Sequence, residues 1–247
     1  MLGVVVSLSW ELKTLTRQSL RVGSSTRISD DTLVALAGMG AERAHAAGEL
    51  LLSQGATGLL SCGFAAALDA GLKPGTIIVP ERVISANGES YPVSAEWHRR
   101  LYQALSAQLR VVTKALLESE MIVNRPDAKR TLSRRTQAVA TDMESGAQAR
   151  LARARRTPFA VIRVISDTAA SQIPDSVMQT LEPSGSVHWS CLARALLHPA
   201  DGIAIMKLAM QFNAARRSLK TASAPVLEAS RIYLDSLPAS VTPAARR

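Results

Sequence analysis

Charged side chains stand at the ends of apolar runs in three places along the chain. The stretch ATDMESGA, residues 140–147, puts Asp142 and Glu144 one residue apart, after one apolar run and at the head of a helix-like stretch. A second run, FAVIRVISD, ends on Asp167 and carries Arg163 four residues earlier. SWEL places Glu11 just past a first run near the N-terminus. Ligands of open α/β sheets gather at the carboxyl ends of strands, so these acids are candidates for a working site rather than structural ends. An arginine inside so apolar a strand needs a partner, because an unpaired buried charge is strongly destabilising; Glu144 is one candidate. The competing reading is structural: Glu11 a solvated acid at a helix start, and Arg163 half of an ion pair at the sheet edge.

Two glycine turns could bring a ligand close to the backbone. Gly38–Gly40, the GMG after a strand-like run, opens a helix near Ala41 and presents amides where an anion would sit. The third glycine of a dinucleotide fingerprint is missing, which argues against NAD. SCGFAAAL, from Ser61 to Leu68, repeats the order of strand, glycine, small residues and helix. It lacks GxSxG, so Ser61 is not a hydrolase nucleophile, and Cys62 reads as a buried small hydrophobe. His45, His98, His188 and His198 are scattered without metal-ligand spacing, so no metal is expected.

The elements that must position these residues follow from hydrophobic patterning. Short apolar runs at Leu2–Val6, Leu33–Ala37, Gly58–Ser61, Thr76–Val79, Ala138–Ala140 and Phe159–Ile165 predict buried strands. Helical spacing covers Glu42–Gln54, Ala95–Glu118 and Met143–Arg155. This alternation predicts an α/β fold, a three-layer sandwich around a mostly parallel mixed central sheet. From about Ser184 strand patterning stops, and Pro199 and Gly202 are expected to divide two basic, amphipathic helices. The expected organisation is a catalytic domain over residues 1–183, a helical C-terminal extension over 184–236 and a loose tail over 237–247.

With 247 residues, 47% of them hydrophobic, the chain can bury a sizeable core, and 4% aromatic content makes that core aliphatic. Two unlike cysteines give no disulfide framework, no basic leader precedes LGVVVSLSW, and no apolar run reaches membrane-spanning length. A cytoplasmic protein is therefore expected. The net charge of +9 suits nucleic acid, anionic lipid or phosphate-bearing ligands. No interleaved aromatics or zinc knuckles accompany it, so no nucleic-acid partner is expected.

TDMESGA (residues 141–147) followed by RVISDTA (residues 163–169) resembles the superfamily of purine nucleoside phosphorylases and methylthioadenosine/adenosylhomocysteine nucleosidases. GMGAERA, GFAAALDAGLKPGTIIV and the position of Glu11 support the likeness, which covers residues 2–175. The basic extension and WHRRLYQAL look like the hopanoid-associated phosphorylase branch, whose substrate is adenosylhopane. The resemblance implies an enzyme that breaks the N-glycosidic bond of an adenosine-type substrate, releasing adenine in hopanoid biosynthesis; the alternatives are a methylthioadenosine/S-adenosylhomocysteine nucleosidase and a non-catalytic nucleoside-binding protein on the same fold. It implies Asp167 as the acid that protonates the leaving purine, kept protonated by burial. Glu144, Met143 and Asp142 would face the ribose, Glu11 would activate water, and Arg163 would hold the acids in register. Gly38, Gly40, Gly63 and Phe64 would form the loop around the nucleophile, and Met121 to Val123 lie in the region that stacks on adenine. No cofactor is implied, although inorganic phosphate is a co-substrate in phosphorylases. Here Phe64 stands where a phosphorylase keeps Ser or Thr, while Lys13, Arg17 and Arg43 offer basic groups, so water and phosphate both stay open. The resemblance further implies a homo-oligomer and peripheral contact of the C-terminal helices with the inner membrane surface.

Overall fold

The computed structural model describes residues 1–172 and 199–238, with side chains in the second segment from Met206 onward. The expected boundary at Ser184, together with Cys191, His188, His198 and the side chain of Ile203, lies outside the described residues.

The centre of the sheet is built from the most apolar runs. β1 (Leu2–Val6), buried throughout, lies between β3 (Thr32–Leu36) and β4 (Gly58–Ala67) and runs parallel to both. On its other edge β4 pairs in parallel with β11 (Phe159–Asp167). β2 (Ser24–Ser29) closes one side antiparallel to β3. Beyond β11 lie β5 (Ile77–Ile78), antiparallel to it, and β8 (Val111–Val112). The last residues of β4, Ala66 and Ala67, also pair antiparallel with β10 (Ala140–Asp142). From β10 the sheet continues through β9 (Leu116–Glu118) and β6 (Arg82–Ile84) to β7 (Ser90–Pro92). The sheet therefore forks at the carboxyl end of β4, and the fork brings the ends of β10 and β11, with Asp142 and Asp167, to one place.

Side-chain alternation along the strands divides the core in two. Val5, Ala35 and Leu59 face a layer containing α2 (Ala41–Ser53) and α5 (Ser145–Ala154), where Leu51 and Leu151 meet them. Val4, Val6, Val34 and Leu60 face the opposite layer, built from α1 (Ser9–Leu15), α3 (Ala95–Ser106) and α6 (Pro199–Asp235). α6 contributes Ala215, Leu219, Ala222 and Val226 to that layer. Trp97 stacks on Tyr233 at 5.1 Å and donates its indole N–H to Ser230 Oγ at 3.0 Å. Each large aliphatic side chain so buried contributes about 1.5–3 kcal/mol. The expected α/β sandwich with a mixed sheet is the fold observed.

Several boundaries differ from expectation. α3 stops at Ser106 rather than Glu118, because Val111–Val112 and Leu116–Glu118 are claimed by neighbouring strands. SCGFAAA does not turn into a helix; it continues β4, which has strand partners on both sides there. Pro199 and Gly202 do not divide two helices. Pro199 opens one continuous helix, where its missing N–H costs nothing. α4 (Pro126–Thr136) and the short strands β2, β6, β7, β8 and β9 were not expected.

Candidate active site

A cavity of about 190 Å³ opens at the fork of the sheet, and Glu11, Phe64, Met143, Glu144 and Asp167 all line it. Residues distant in sequence thus converge at the carboxyl ends of β1, β4, β10 and β11.

Glu11 occupies the first turn of α1 and reaches back over it. Its Oε2 accepts the backbone N–H groups of Ser7 at 2.7 Å and Leu8 at 2.8 Å, and Oε1 accepts that of Phe64 at 2.8 Å. The carboxylate lies against Gly63 so closely that a Cβ there would come within 2.4 Å of Oε1; only glycine admits the approach. Burial pushes the Glu11 carboxyl above its ordinary range, against the opposing pull of Arg163 and the three N–H groups. The expected solvated alternative is ruled out, since Glu11 is buried.

Glu144 stands at the N-cap position of α5, but its side chain turns away from the helix and accepts the N–H of Gly40 at 3.0 Å and of Met143 at 3.2 Å. Gly40 holds a φ of +102°, a conformation that favours glycine. Burial first, then the neighbouring Asp142, raise the Glu144 carboxyl to about 7, with Arg163 pulling the other way.

Arg163 is buried and pairs with Asp142, not with Glu144. Its Nε donates to Asp142 Oδ2 at 2.7 Å, and its other groups donate to Ser61 Oγ at 2.7 Å and the Ile162 carbonyl at 3.1 Å. Asp142 Oδ1 accepts the Ser145 hydroxyl at 2.7 Å. Asp142 borders the cavity, but both its oxygens are engaged, so it braces Arg163 and the start of α5. Arg163 itself does not line the cavity.

Asp167 Oδ1 accepts the Ser166 hydroxyl at 2.8 Å, and Oδ2 accepts Lys129 Nζ at 2.5 Å. Lys129, on α4, is wholly buried and also donates to the carbonyls of Thr168 at 2.9 Å and Ser171 at 3.1 Å. The sequence reading relied on burial alone at Asp167 and missed this lysine. In the strongly polar stretch PDAKRTLSRRT nothing marks which cation turns inward; only the position of a lysine on the face that meets β11 would have told.

The remaining candidates divide. Met143 and Phe64 line the cavity, as do Ile122 and Val123 from the region expected against adenine, and Met39, which was not expected. Met121 points to solvent. Gly38 packs against Val22 and Arg43, and Gly40 and Gly63 act through the glutamates they touch. Phe64 meets Phe212 of α6 at 4.9 Å, and Phe212 meets Trp10 edge-on at 6.4 Å. Lys13 lies over the Trp10 ring at 5.0 Å. Among the described residues lining the cavity there is no lysine or arginine.

The raised Glu144 carboxyl is open to measurement. A carboxyl whose folded-state value stands near 7 against an ordinary 4.5 stabilises the fold fully below the lower value and loses that contribution as pH rises through the upper one. The parent is therefore expected to lose stability between pH 4.5 and 7, and Glu144→Gln to flatten that loss. On the ribose-facing role that the resemblance implies, it should also lower turnover at least tenfold, because an amide offers a developing cation no charge. Melting curves across this pH range, paired with kinetics at pH 7.5, check both; unchanged kinetics would make Glu144 a structural acid and nothing more.

The sequence pattern of the phosphorylase superfamily matches residues 3–185. No curated protein sequence matches the chain. Among solved structures, 5'-methylthioadenosine/S-adenosylhomocysteine nucleosidase from Helicobacter pylori is similar with a TM-score of 0.67 at 15% identity, covering 96% of this chain and 98% of that one. Futalosine hydrolase from the same organism gives a TM-score of 0.69 at 15% identity, over 96% and 99%. The Neisseria meningitidis nucleosidase, in complex with methylthio-immucillin-A, gives 0.67 at 16% identity, over 96% and 99%.

Proposed function

Because the chain belongs to the phosphorylase superfamily, whose enzymes cleave N-glycosidic bonds, we propose that it releases adenine from an adenosine-type substrate by hydrolysis, with adenosylhopane as that substrate. The observation that carries this reading is the cavity lining, which joins Glu11, Glu144 and Asp167 in one small space without a basic side chain among the described residues. A phosphate dianion entering there would face Glu11 and Glu144 with no cation exposed to it among the described residues, Arg163 being engaged by Asp142 outside the lining, and like-charge repulsion disfavours that arrangement. Water suffers no such penalty.

The roles follow from where charge develops. As the bond to the base breaks, the ribose becomes cationic and the purine gains negative charge. Glu144 would accept from the ribose hydroxyls and strengthen that contact as the sugar turns positive. Glu11, held by three amides and buried, would take a proton from the attacking water. Asp167 would deliver a proton to the leaving purine. Met143 would pack against the sugar and Phe64 close the cavity on the side of α6.

The hopanoid part rests on the resemblance and on one surface feature. Beyond the Phe64–Phe212 contact, Trp10, Met206 and Met210 are exposed beside Lys13, Arg216 and Lys207. Apolar side chains ringed by cations suit a lipid tail emerging at an anionic membrane surface, each cation contributing about 1 kcal/mol. No helix among the described residues is long and apolar enough to cross a membrane. A second reading, a smaller substrate such as methylthioadenosine, is favoured by the modest cavity and by the methylthio ligand held in the similar Neisseria structure.

Product analysis with adenosylhopane and with methylthioadenosine, each with and without phosphate, tests these statements together. Adenine and free ribosyl product, formed equally in both buffers, are the expected outcome. A ribosyl phosphate would replace water by phosphate as the nucleophile. Turnover of methylthioadenosine alone would remove the hopanoid reading, and no adenine from either would remove the function.

A further inference from the structure

Lys129 has a feature that ordinary ion pairing does not require: its Nζ has three oxygen neighbours and no exposure to water. Asp167 Oδ2 lies at 2.5 Å, the Thr168 carbonyl at 2.9 Å and the Ser171 carbonyl at 3.1 Å. An ammonium has three N–H donors and no acceptor, so the arrangement uses each of them once. A neutral amine would leave one oxygen lone pair facing its nitrogen lone pair. The site is therefore built for the charged form. A stabilising device alone would be a poor explanation, because a buried ion pair is often no better than an apolar replacement of the same volume.

Resting on the glycosidic-bond-cleaving reading, we infer that Lys129 acts through Asp167 as the source of the proton that the departing purine receives. The Nζ–H bond along the 2.5 Å contact breaks as an Oδ2–H bond forms, leaving a neutral amine and a neutral acid. The acid's proton then passes to the imidazole nitrogen of the purine as the electron pair of the glycosidic bond leaves with the base. Asp167 ends as a carboxylate, the purine ends neutral, and once the product has gone water in the emptied cavity protonates Asp167, which hands the proton back to the buried Lys129. The two carbonyls keep the lysine aimed during the cycle. They also bind more weakly to the neutral amine, which has one N–H fewer, so the ammonium is regained before the next turnover.

The variant Lys129→Arg separates proton supply from charge. A guanidinium keeps the cation and the hydrogen bonds but does not give up a proton under enzymatic conditions. Two substrates complete the test: an adenine nucleoside, whose base must be protonated to leave, and a 4-nitrophenyl riboside, whose phenolate leaves without a proton. Lys129→Arg is expected to lose at least 100-fold in kcat on the adenine nucleoside and to stay within threefold of the parent on the nitrophenyl riboside. Full activity on both would show that charge suffices and overturn the inference; equal loss on both would show a structural role and overturn it too. If Lys129→Arg does not fold, the double variant Lys129→Met/Asp167→Asn removes both charges and leaves neither buried alone. It should match Asp167→Asn on both substrates, because the two side chains form one acid. A further tenfold loss on the nitrophenyl riboside would count against the inference. A parent protein that cleaves neither riboside would instead sink the glycosidic reading from which this one starts.

Discussion

Asp167→Asn is expected to lower turnover of an adenine nucleoside by about 100- to 10,000-fold, the range over which a positioned acid contributes. The substitution is nearly isosteric. Its carbonyl oxygen can still accept from Lys129, and its amide can still meet Ser166, but the buried ammonium loses its counter-charge, so a lower melting temperature accompanies the variant, at a cost of about 3–5 kcal/mol. What it cannot do is receive a proton on one oxygen and release it to the base. Substrate binding should change far less than kcat, because the missing proton matters only as the bond breaks. Steady-state kinetics, with a melting curve to show an intact fold, provide the measurement. Activity within threefold of the parent would remove Asp167 from the chemistry.

Glu11→Ala should reduce hydrolysis by a similar factor, and small anions should bring part of it back. Backbone amides fix both oxygens of Glu11, two from the turn before α1 and one from Phe64. Removing it leaves those amides facing a void about the size of a carboxylate. Azide fits that void, carries the lost charge and attacks without needing a base. Added azide is therefore expected to restore turnover and to yield a ribosyl azide in place of the hydrolysis product. Retained hydrolysis in the variant, or loss that azide leaves untouched, would mean that Glu11 only caps its helix. A drop in stability of about 1–3 kcal/mol accompanies either outcome, since the three amides lose their acceptor.

How far the sequence foretold this arrangement depended on how each residue is used. β1, β3 and β11 are buried on both faces, so their runs were continuous and visible. The acids at their ends were visible for the same reason, standing out against Val, Ile and Ala. β6, β7, β8 and β9 are two or three residues long, too short for alternation to show, and α3 was extended through two of them in consequence. Which acid meets Arg163 was also hidden. Asp142 and Glu144 are one residue apart, and the end of β10 turns them different ways, the first toward β11 and the second toward Gly40. Lys129 was the costliest omission. A cation in a helix with Arg130, Arg134 and Arg135 looks like solvated surface until α4 is docked.

The order in which a ribosome delivers these pieces sets a limit on when the site can exist. Glu11, Glu144 and Asp167 have all emerged well before α6, yet Phe64 closes on Phe212, and the Ser171 hydroxyl donates to Gln211 Oε1 at 3.2 Å. The latter contact steadies the loop whose carbonyls hold Lys129. α6 also covers β1, laid down first, through Ala215, Leu219 and Val226. Contacts between such distant parts of a chain form late and slowly. A nascent chain paused before Pro199 therefore has its acids in hand but leaves open the part of one layer that α6 covers, an apolar surface that invites association or chaperone capture. Competence arrives in a single late step, the docking of one helix, rather than by gradual gain as the chain lengthens.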